Sequence, residues 1–446
     1  MTGGYSGAAL TTGSSNTTLG YRAMYRATTA ADSCVAIGYE ALSGNWTTAD
    51  VDNAVAIGRS ALQGTIDANA GGTVAVGYES MYANTSGTQN NALGLQSLWS
   101  NTTGSRNTAI GYKAMRTSVT GNNNVAIGNH ALADEGGSDS SNGADSNVAI
   151  GNEAMGSVDT GSNANARVLG NIAIGDSALD GGDFGSSDLN LDYNIAIGLS
   201  ALNSTGSAQL TGAICIGTSA GTAISDNAAS GTTIVGHQAG MAITDGARST
   251  LIGHEAGKAI NGGNDNTCIG YNAGDSLTDA NGACIIGQGS DAATSSNYAN
   301  VFGQNITDGA TQRSKIGAGS VYAELDHANT GNGWANTSDI RIKKDIIDSD
   351  LGLDFINKLR PVKYKEKPKK DWPSEFLSTA GEEDMNKECL KDFDGFIAQE
   401  VKAIADEYDT TFSGWQTNEN NGRQSLQYSR FVVPLVKAVQ ELSAKV

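Results

Sequence analysis

The sequence predicts a mainly β protein, a long β-solenoid of short stacked repeats followed by a small α+β domain that ends in a coiled-coil-like helix. Three observations carry this prediction. One phrase, Asn/Thr followed by Val/Ile/Thr-Ala-Ile-Gly, two variable residues and Ala/Ser-Leu/Met, recurs between Gly20 and Gly317. All four prolines (Pro361, Pro368, Pro373 and Pro434) fall in the last quarter of the 446 residues. Charge divides at the same place: up to Thr337 there are 11 Lys/Arg against 27 Asp/Glu, and from Ser338 onward 17 against 20.

Clear copies of the phrase are Cys34-Val-Ala-Ile-Gly38-Tyr-Glu-Ala-Leu42, Asn107-Thr-Ala-Ile-Gly111-Tyr-Lys-Ala-Met115, Asn124-Val-Ala-Ile-Gly128-Asn-His-Ala-Leu132 and Asn194-Ile-Ala-Ile-Gly198-Leu-Ser-Ala-Leu202. The period of about 17 to 24 residues is too short for a helical hairpin and suits one solenoid coil. Alternation in Val-Ala-Ile marks a strand. It predicts branched residues filling the coil, with Ala packed closely outside it. The glycine then permits a bend, and Ala/Ser-Leu/Met is expected to begin a second short strand. Up to Leu202 the fourth residue after the glycine is Leu or Met, whereas later copies carry Gly221, Gly240, Gly257 and Gly274, and a hydrophobe returns three residues on as Ile224, Ile243, Ile260 and Leu277. Two sub-arrays, 1–205 and 206–303, are therefore expected, with a neck over 304–337 containing a short strand near Ser320–Leu325 and a last domain over 338–446.

Composition excludes several classes of function. The acidic repeat region lacks the clustered Lys/Arg that a nucleic-acid footprint needs. No window is long and apolar enough for a membrane span, so membrane insertion is not expected. Met1–Leu10 has no charged n-region or apolar run of a signal peptide, which predicts synthesis in the cytoplasm. The five cysteines (Cys34, Cys215, Cys268, Cys284 and Cys389) have no metal-ligand spacing, and the four within repeats read as small buried hydrophobes. No cofactor is implied.

The repeated phrase resembles the head repeats of trimeric autotransporter adhesins. That resemblance implies a parallel β-roll assembled as a tight homotrimer, in which small residues let backbones approach. Enlarged loops at Ala133–Asn147, Gly156–Gly170 and Asp180–Tyr193 are rich in acids, including Asp134, Glu135, Asp139, Asp145, Asp180, Asp183, Asp188 and Asp192. They read as solvated Asx-rich turns, with a receptor contact or calcium site as the alternative; no EF-hand-type spacing is present. His237 and His254 share the position directly after the glycine with Tyr21, Tyr39, Arg59, Tyr78, Tyr112, Thr218 and Tyr271. Such a mixture reads as an exposed row suited to saccharide or protein contact rather than a metal site.

Between the two parts stands Ser338-Asp-Ile-Arg-Ile-Lys343. A lysine can act as general base for a serine hydroxyl where burial or nearby positive charge, here Lys344 and Arg341, lowers its pKa. A serine and a lysine at this separation are common on their own. The residues that follow add more. Gly352–Tyr364 reads as helix, turn and strand, Asp394–Val401 leads into a second helix, and Leu426–Leu442 closes the chain with a third. Together these resemble the intramolecular-chaperone, autoprocessing peptidase domain at the C-terminus of phage endosialidases, tailspikes and tail fibres. The resemblance implies Ser338 as nucleophile, Lys343 as its base and Thr337-Ser338 as the scissile bond, with Asp339 and Arg341 as supporting motif residues.

In the last helix Val432, Leu435, Val439, Leu442 and Val446 step by three and four, an a/d seam able to bring three chains into register. The alternative is a helix packed only on its own domain. The whole predicts a homotrimeric, host-receptor-binding phage tail fibre or tailspike in the virion tail, attached through a possible tail adaptor protein. Its chaperone domain is expected to leave by self-cleavage. A polysaccharide depolymerase tailspike and a bacterial trimeric surface adhesin are the alternatives.

Overall fold

The computed structural model describes residues 3–26, 31–46, 51–66, 71–133, 144–158, 167–181, 190–205, 209–224, 230–308, 312–326, 334–335, 344–373, 390–408, 412–417 and 422–445. Two compact units are present, Met1–Asn336 and Thr337–Val446.

In the first unit each repeat contributes a three-residue strand, as in Val35–Ile37, Val55–Ile57 and Val74–Val76. Successive strands pair in parallel at identical repeat positions: Val35 lies against Val55, Ala36 against Ala56 and Ile37 against Ile57. Among the described residues these strands build one 19-stranded sheet whose last two strands run antiparallel. A repeating pattern enforces this register, since a one-residue slip would turn every side chain to the wrong face. The fold is thus a mainly β solenoid with few helices, which among the described residues all lie in the second unit.

The inside and outside of the coil are the reverse of what alternation predicts. The central Ala of each strand is the buried residue (Ala36, Ala56, Ala75, Ala109 and Ala126 are 0% exposed), while the flanking Val and Ile are only half-buried. A tight reversal after the glycine explains this. Glu40 and Leu42, second and fourth after Gly38, both adopt left-handed backbone (φ +54° and +51°), and the same alternation recurs in repeat after repeat. The expected second strand is therefore a turn. Folded back so soon, it leaves space under the strand for little more than a methyl group, and Leu42 or its equivalent fills the rest of the interior. A non-glycine residue in that conformation costs about 1–2 kcal/mol. Full burial of a Leu side chain, worth about 1.5–3 kcal/mol, offsets it.

The anchoring glycine is required for a different reason. Gly111 has φ +137°, and a Cβ there would collide with the backbone carbonyl of Gly128 one rung on.

From Cys215 onward the interior is filled by an exchange. The central strand residue enlarges from Ala to Cys215, Ile234, Leu251, Cys268, Ile285 and Val301, all buried, and in the first four of these rungs the fourth residue after the glycine becomes Gly. A Cβ at Gly240 would lie 2.8 Å from Leu251 Cδ1 and 2.9 Å from Ile234 Cδ1. Ile224, Ile243, Ile260 and Leu277 complete the packing. Total volume is conserved, the kind of swap that cores tolerate best.

An asparagine ladder, unforeseen in the sequence reading, runs through the interior of the first sub-array. Asn90, Asn107, Asn124, Asn147, Asn171 and Asn194 are all fully buried. Asn124 shows the pattern: its backbone N–H and Nδ2 donate to Asn107 Oδ1 at 3.0 and 3.1 Å, and Nδ2 also donates to the Ala144 carbonyl at 2.6 Å. Asn147 donates in turn to Asn124 Oδ1. Each amide thereby bridges two coils and crosses its own, satisfying groups that would be costly to bury unpaired.

At the enlarged repeats a second, three-stranded parallel sheet forms from Arg167–Leu169, Asn190–Asp192 and Leu210–Thr211. Buried Asp192 pairs with Arg167. In the neck, Arg313–Ala318 pairs in parallel with Asn300–Gln304 and antiparallel with Val321–Asp326, so a hairpin covers the edge of the stack. Buried Lys315 anchors it, its Nζ 3.3 Å from Asp308 Oδ1 and donating to the Thr307 carbonyl at 3.0 Å.

Candidate functional site

Thr337, Ser338, Asp339, Arg341 and Lys343, the residues of the expected cleavage centre, lie outside the described residues, as does Val446. Lys344, which begins the described part of the second unit, is exposed and 3.8 Å from Asp345.

The unit that follows forms around aromatic side chains. Helix α1 (Leu353–Lys358) buries Phe355, and helix α2 (Ala398–Asp406) buries Val401 and Ala405 on one face. Between them in the chain, Val362–Tyr364 pairs antiparallel with Phe393–Gly395. Phe412 lies 5.5 Å from Phe355 and 4.8 Å from Phe431 between ring centroids, and Phe396 stacks on Phe431 at 5.4 Å. The hydroxyl of Tyr428 accepts the Phe396 backbone N–H at 3.0 Å. Much of this core therefore comes from residues beyond position 410.

Ion pairs brace the helices at the surface. Lys358 Nζ lies 3.0 Å from Glu407 and 3.3 Å from Asp354, which hold its ammonium group well above the ordinary lysine pKa together with the Tyr408 hydroxyl. The same Tyr408 hydroxyl donates to Asp354 at 2.6 Å and, with Lys358, keeps that carboxyl below its usual range. Arg360 pairs with Glu400, lowering the Glu400 pKa. None of these groups has the depressed lysine pKa that a general base requires; they are structural.

Helix α3 (Val432–Ser443) turns Pro434 and Ala438 inward. Val432, Leu435, Val439 and Leu442 are 46–64% exposed, as are Val433 and Val436. Pro434 sits in the first turn, where its missing N–H costs nothing. Six branched or large aliphatic side chains thus face away from the unit's own core.

On the repeat unit, the position after the glycine forms an exposed row. Tyr21 stacks on Tyr39 at 5.5 Å, Arg59 lies 5.6 and 5.7 Å from the Tyr39 and Tyr78 rings, and His237, His254 and Tyr271 stack at 5.0 and 5.2 Å. Of the acidic-loop residues, Asp145 accepts from the Asn122 N–H, Asp180 from the Ser157 N–H and Asp192 from Arg167. Asp134, Glu135, Asp139, Asp183 and Asp188 lie outside the described residues. Among the described residues no group of three or more His, Cys, Asp or Glu is placed to hold a metal ion. The half-exposed Val/Ile pairs make a stripe along the strands; alternation in the sequence is its signal, but with the opposite sense of inside and outside.

A family model described as chaperone of endosialidase matches residues 338–410, which implies a self-cleaving peptidase domain there. A β-solenoid followed by such a domain fits a tail-fibre-like protein. No curated protein and no solved structure matches the chain.

Proposed function

We propose that this chain is a phage tail-fibre or tailspike protein: a homotrimeric, receptor-binding shaft whose C-terminal unit drives assembly and then cuts itself away at Thr337-Ser338. The observation that carries the reading is the family match, which begins at Ser338 itself. Two surfaces support the trimer. The half-exposed Val/Ile stripe of the solenoid and the exposed outward face of α3 are both apolar and continuous, the character of an interaction face.

In the proposed cleavage the neutral amine of Lys343 takes the proton of the Ser338 hydroxyl as its oxygen attacks the Thr337 carbonyl. The C–N bond breaks, the Ser338 nitrogen receives the proton, and an ester links Thr337 to the Ser338 side chain. Water then opens the ester, leaving a Thr337 carboxylate and a free Ser338 amino terminus. A solenoid made of non-local pairing is slow to nucleate, so three C-termini held together raise the local concentration of aligned chains. Removing the template afterwards leaves the assembly kinetically trapped.

Denaturing and native mass measurement of the purified protein tests both claims together. The expected result is a chain ending at Thr337 in a threefold assembly, with uncleaved full-length chain for Ser338→Ala. Continued cleavage in Ser338→Ala, or a monomeric native mass, contradicts the reading.

A further inference from the structure

The fifth residue after each anchoring glycine makes a second row, Tyr25, Ser43, Gln63, Tyr82, Trp99 and Arg116, in which only Ser43 is buried. Tyr82 stacks on Trp99 at 5.8 Å with 10° between ring planes, and the Arg116 guanidinium lies 5.3 Å from the Trp99 ring. At Ser43 and Gln63 the row falls to short polar side chains. The two-rung gap opens a cleft of about 270 Å³ whose walls include Tyr25 and Tyr82. At the parallel-strand spacing those rings stand about 14 Å apart, three rungs of ~4.8 Å.

The cleft is organised by Glu40. Its Oε1 accepts from Arg22 Nη1 at 3.2 Å and its Oε2 from Gln63 Nε2 at 2.9 Å, tying three successive rungs together. Arg22 is held between the Tyr21 and Tyr25 rings at 5.1 and 5.4 Å. Arg26, also lining the cleft, is exposed and has no carboxylate partner among the described residues. Two guanidinium groups against one carboxylate leave a positive site on a chain whose net charge is −19.

We propose that this cleft binds a carboxylate-bearing oligosaccharide, a run of two to three sugar units spanning from the Tyr25 ring to the Tyr82 ring with a uronate-type unit beside Arg26. Arg26 takes the ligand carboxylate as a forked donor pair. The remaining lone pairs of Glu40 and the amide of Gln63 take ring hydroxyls, and the Tyr25 and Tyr82 rings, one at each end of the cleft, cover apolar faces of separate sugar units. A nucleic acid would need many clustered cations, and a peptide would need an apolar pocket or an open strand edge; the cleft has neither. The proposal rests on the reading of the repeat unit as a receptor-binding shaft and names the chemistry of the receptor.

Saturation-transfer NMR on the purified protein, with a tetrasaccharide of alternating glucuronate and N-acetylglucosamine and with neutral chitotetraose for comparison, tests it. The expected result is transfer to the uronate tetrasaccharide with Kd ~1 mM or tighter and at least tenfold weaker binding of chitotetraose. Arg26→Gln and Tyr82→Ala each weaken uronate binding at least tenfold, while Tyr271→Ala in the other aromatic row leaves it unchanged. Both Arg26 and Tyr82 are exposed enough to be replaced without loss of fold, which circular dichroism of the variants checks. Absence of transfer, equal binding of both sugars, or full binding by Arg26→Gln overturns the proposal. Because cleavage and native mass are measured on the same sample, a cleaved trimer that binds no uronate counts against the cleft alone.

Discussion

Glu441 Oε2 accepts the backbone N–H of Leu353 at 2.8 Å across 88 residues of chain, so the last helix caps the first helix of its unit. Gly352, the residue before α1, has no side chain to do this, and a Cβ there would strike the Glu441 carboxylate. Loss of a helix cap costs about 0.5–2 kcal/mol. Glu441→Ala is expected to lower the stability of the C-terminal unit by ~1 kcal/mol, read by chemical denaturation in a Ser338→Ala background that keeps the chain whole. Glu441→Gln, which retains an acceptor oxygen, recovers most of it.

The asparagine ladder predicts a larger penalty inside the solenoid. Asn124→Ala removes donors and acceptors shared with Asn107, Asn147 and the Ala144 carbonyl, all buried. Leaving buried polar groups unpaired costs about 1–3 kcal/mol each. Accelerated unfolding in denaturant is the expected readout, with Asn129→Ala, on the exposed face, as the near-neutral comparison.

Interior volume in one rung can be converted from the first type to the second. Ala109→Leu alone overpacks the coil, at a cost of about 1–3 kcal/mol. Adding Met115→Gly and Ser118→Ile reproduces the arrangement of Leu251, Gly257 and Ile260 and should restore much of the loss. A triple variant less stable than Ala109→Leu would show that the exchange is not one of volume.

The thiols report which face is closed. Burial pushes the Cys215 thiol up to about 12 and raises Cys268 and Cys34 as well. At pH ~9, where an ordinary thiol is largely ionised, Cys215 and Cys268 remain protonated. Cys284 does not follow the expectation of a buried cysteine: it occupies an outward strand position and is half-buried. With Cys389 replaced by Ser, a dissociated but folded chain should label at Cys284 only, and the proposed trimer should protect that site too. Peptide mass mapping distinguishes the thiols.

Acid should loosen the C-terminal unit. Asp354 and Glu400 titrate lower in the folded unit than in the unfolded chain. Their contribution is therefore complete above the unfolded carboxylate pKa and is lost as pH falls through the lower folded values. Tyr408→Phe, which removes the hydroxyl bonded to Asp354, should reduce that dependence in pH-resolved denaturation.

Repeat spacing made the solenoid legible, because stacking at fixed register is the arrangement that satisfies many identical strands at once. It did not reveal which face points inward. Val-Ala-Ile alternates equally well either way, and what decides is the left-handed pair exemplified by Glu40 and Leu42, which narrows the coil to the width of Ala. The three C-terminal helices were readable from periodicity, whereas the Glu441 cap joins positions too distant in sequence for any local pattern. Ser338 and Lys343 stood out as a nucleophile and base by motif, a signal independent of their geometry. The Arg22–Glu40–Gln63 cleft emerges only when residues from separate repeats are laid side by side.

The hairpin formed by Val321–Asp326 on Arg313–Ala318 has a consequence for how such a molecule changes size. Because Val321–Asp326 runs against the grain of the stack, and Trp334–Ala335 pairs on it in turn, the run of parallel in-register coils stops at Arg313–Ala318. On the side of the hairpin, reach changes by duplication or loss of whole units ahead of it, in quanta of ~4.8 Å. Removing residues 95–111, one unit counted from glycine to glycine, would shorten the ruler by a single graduation and leave both ends as they were.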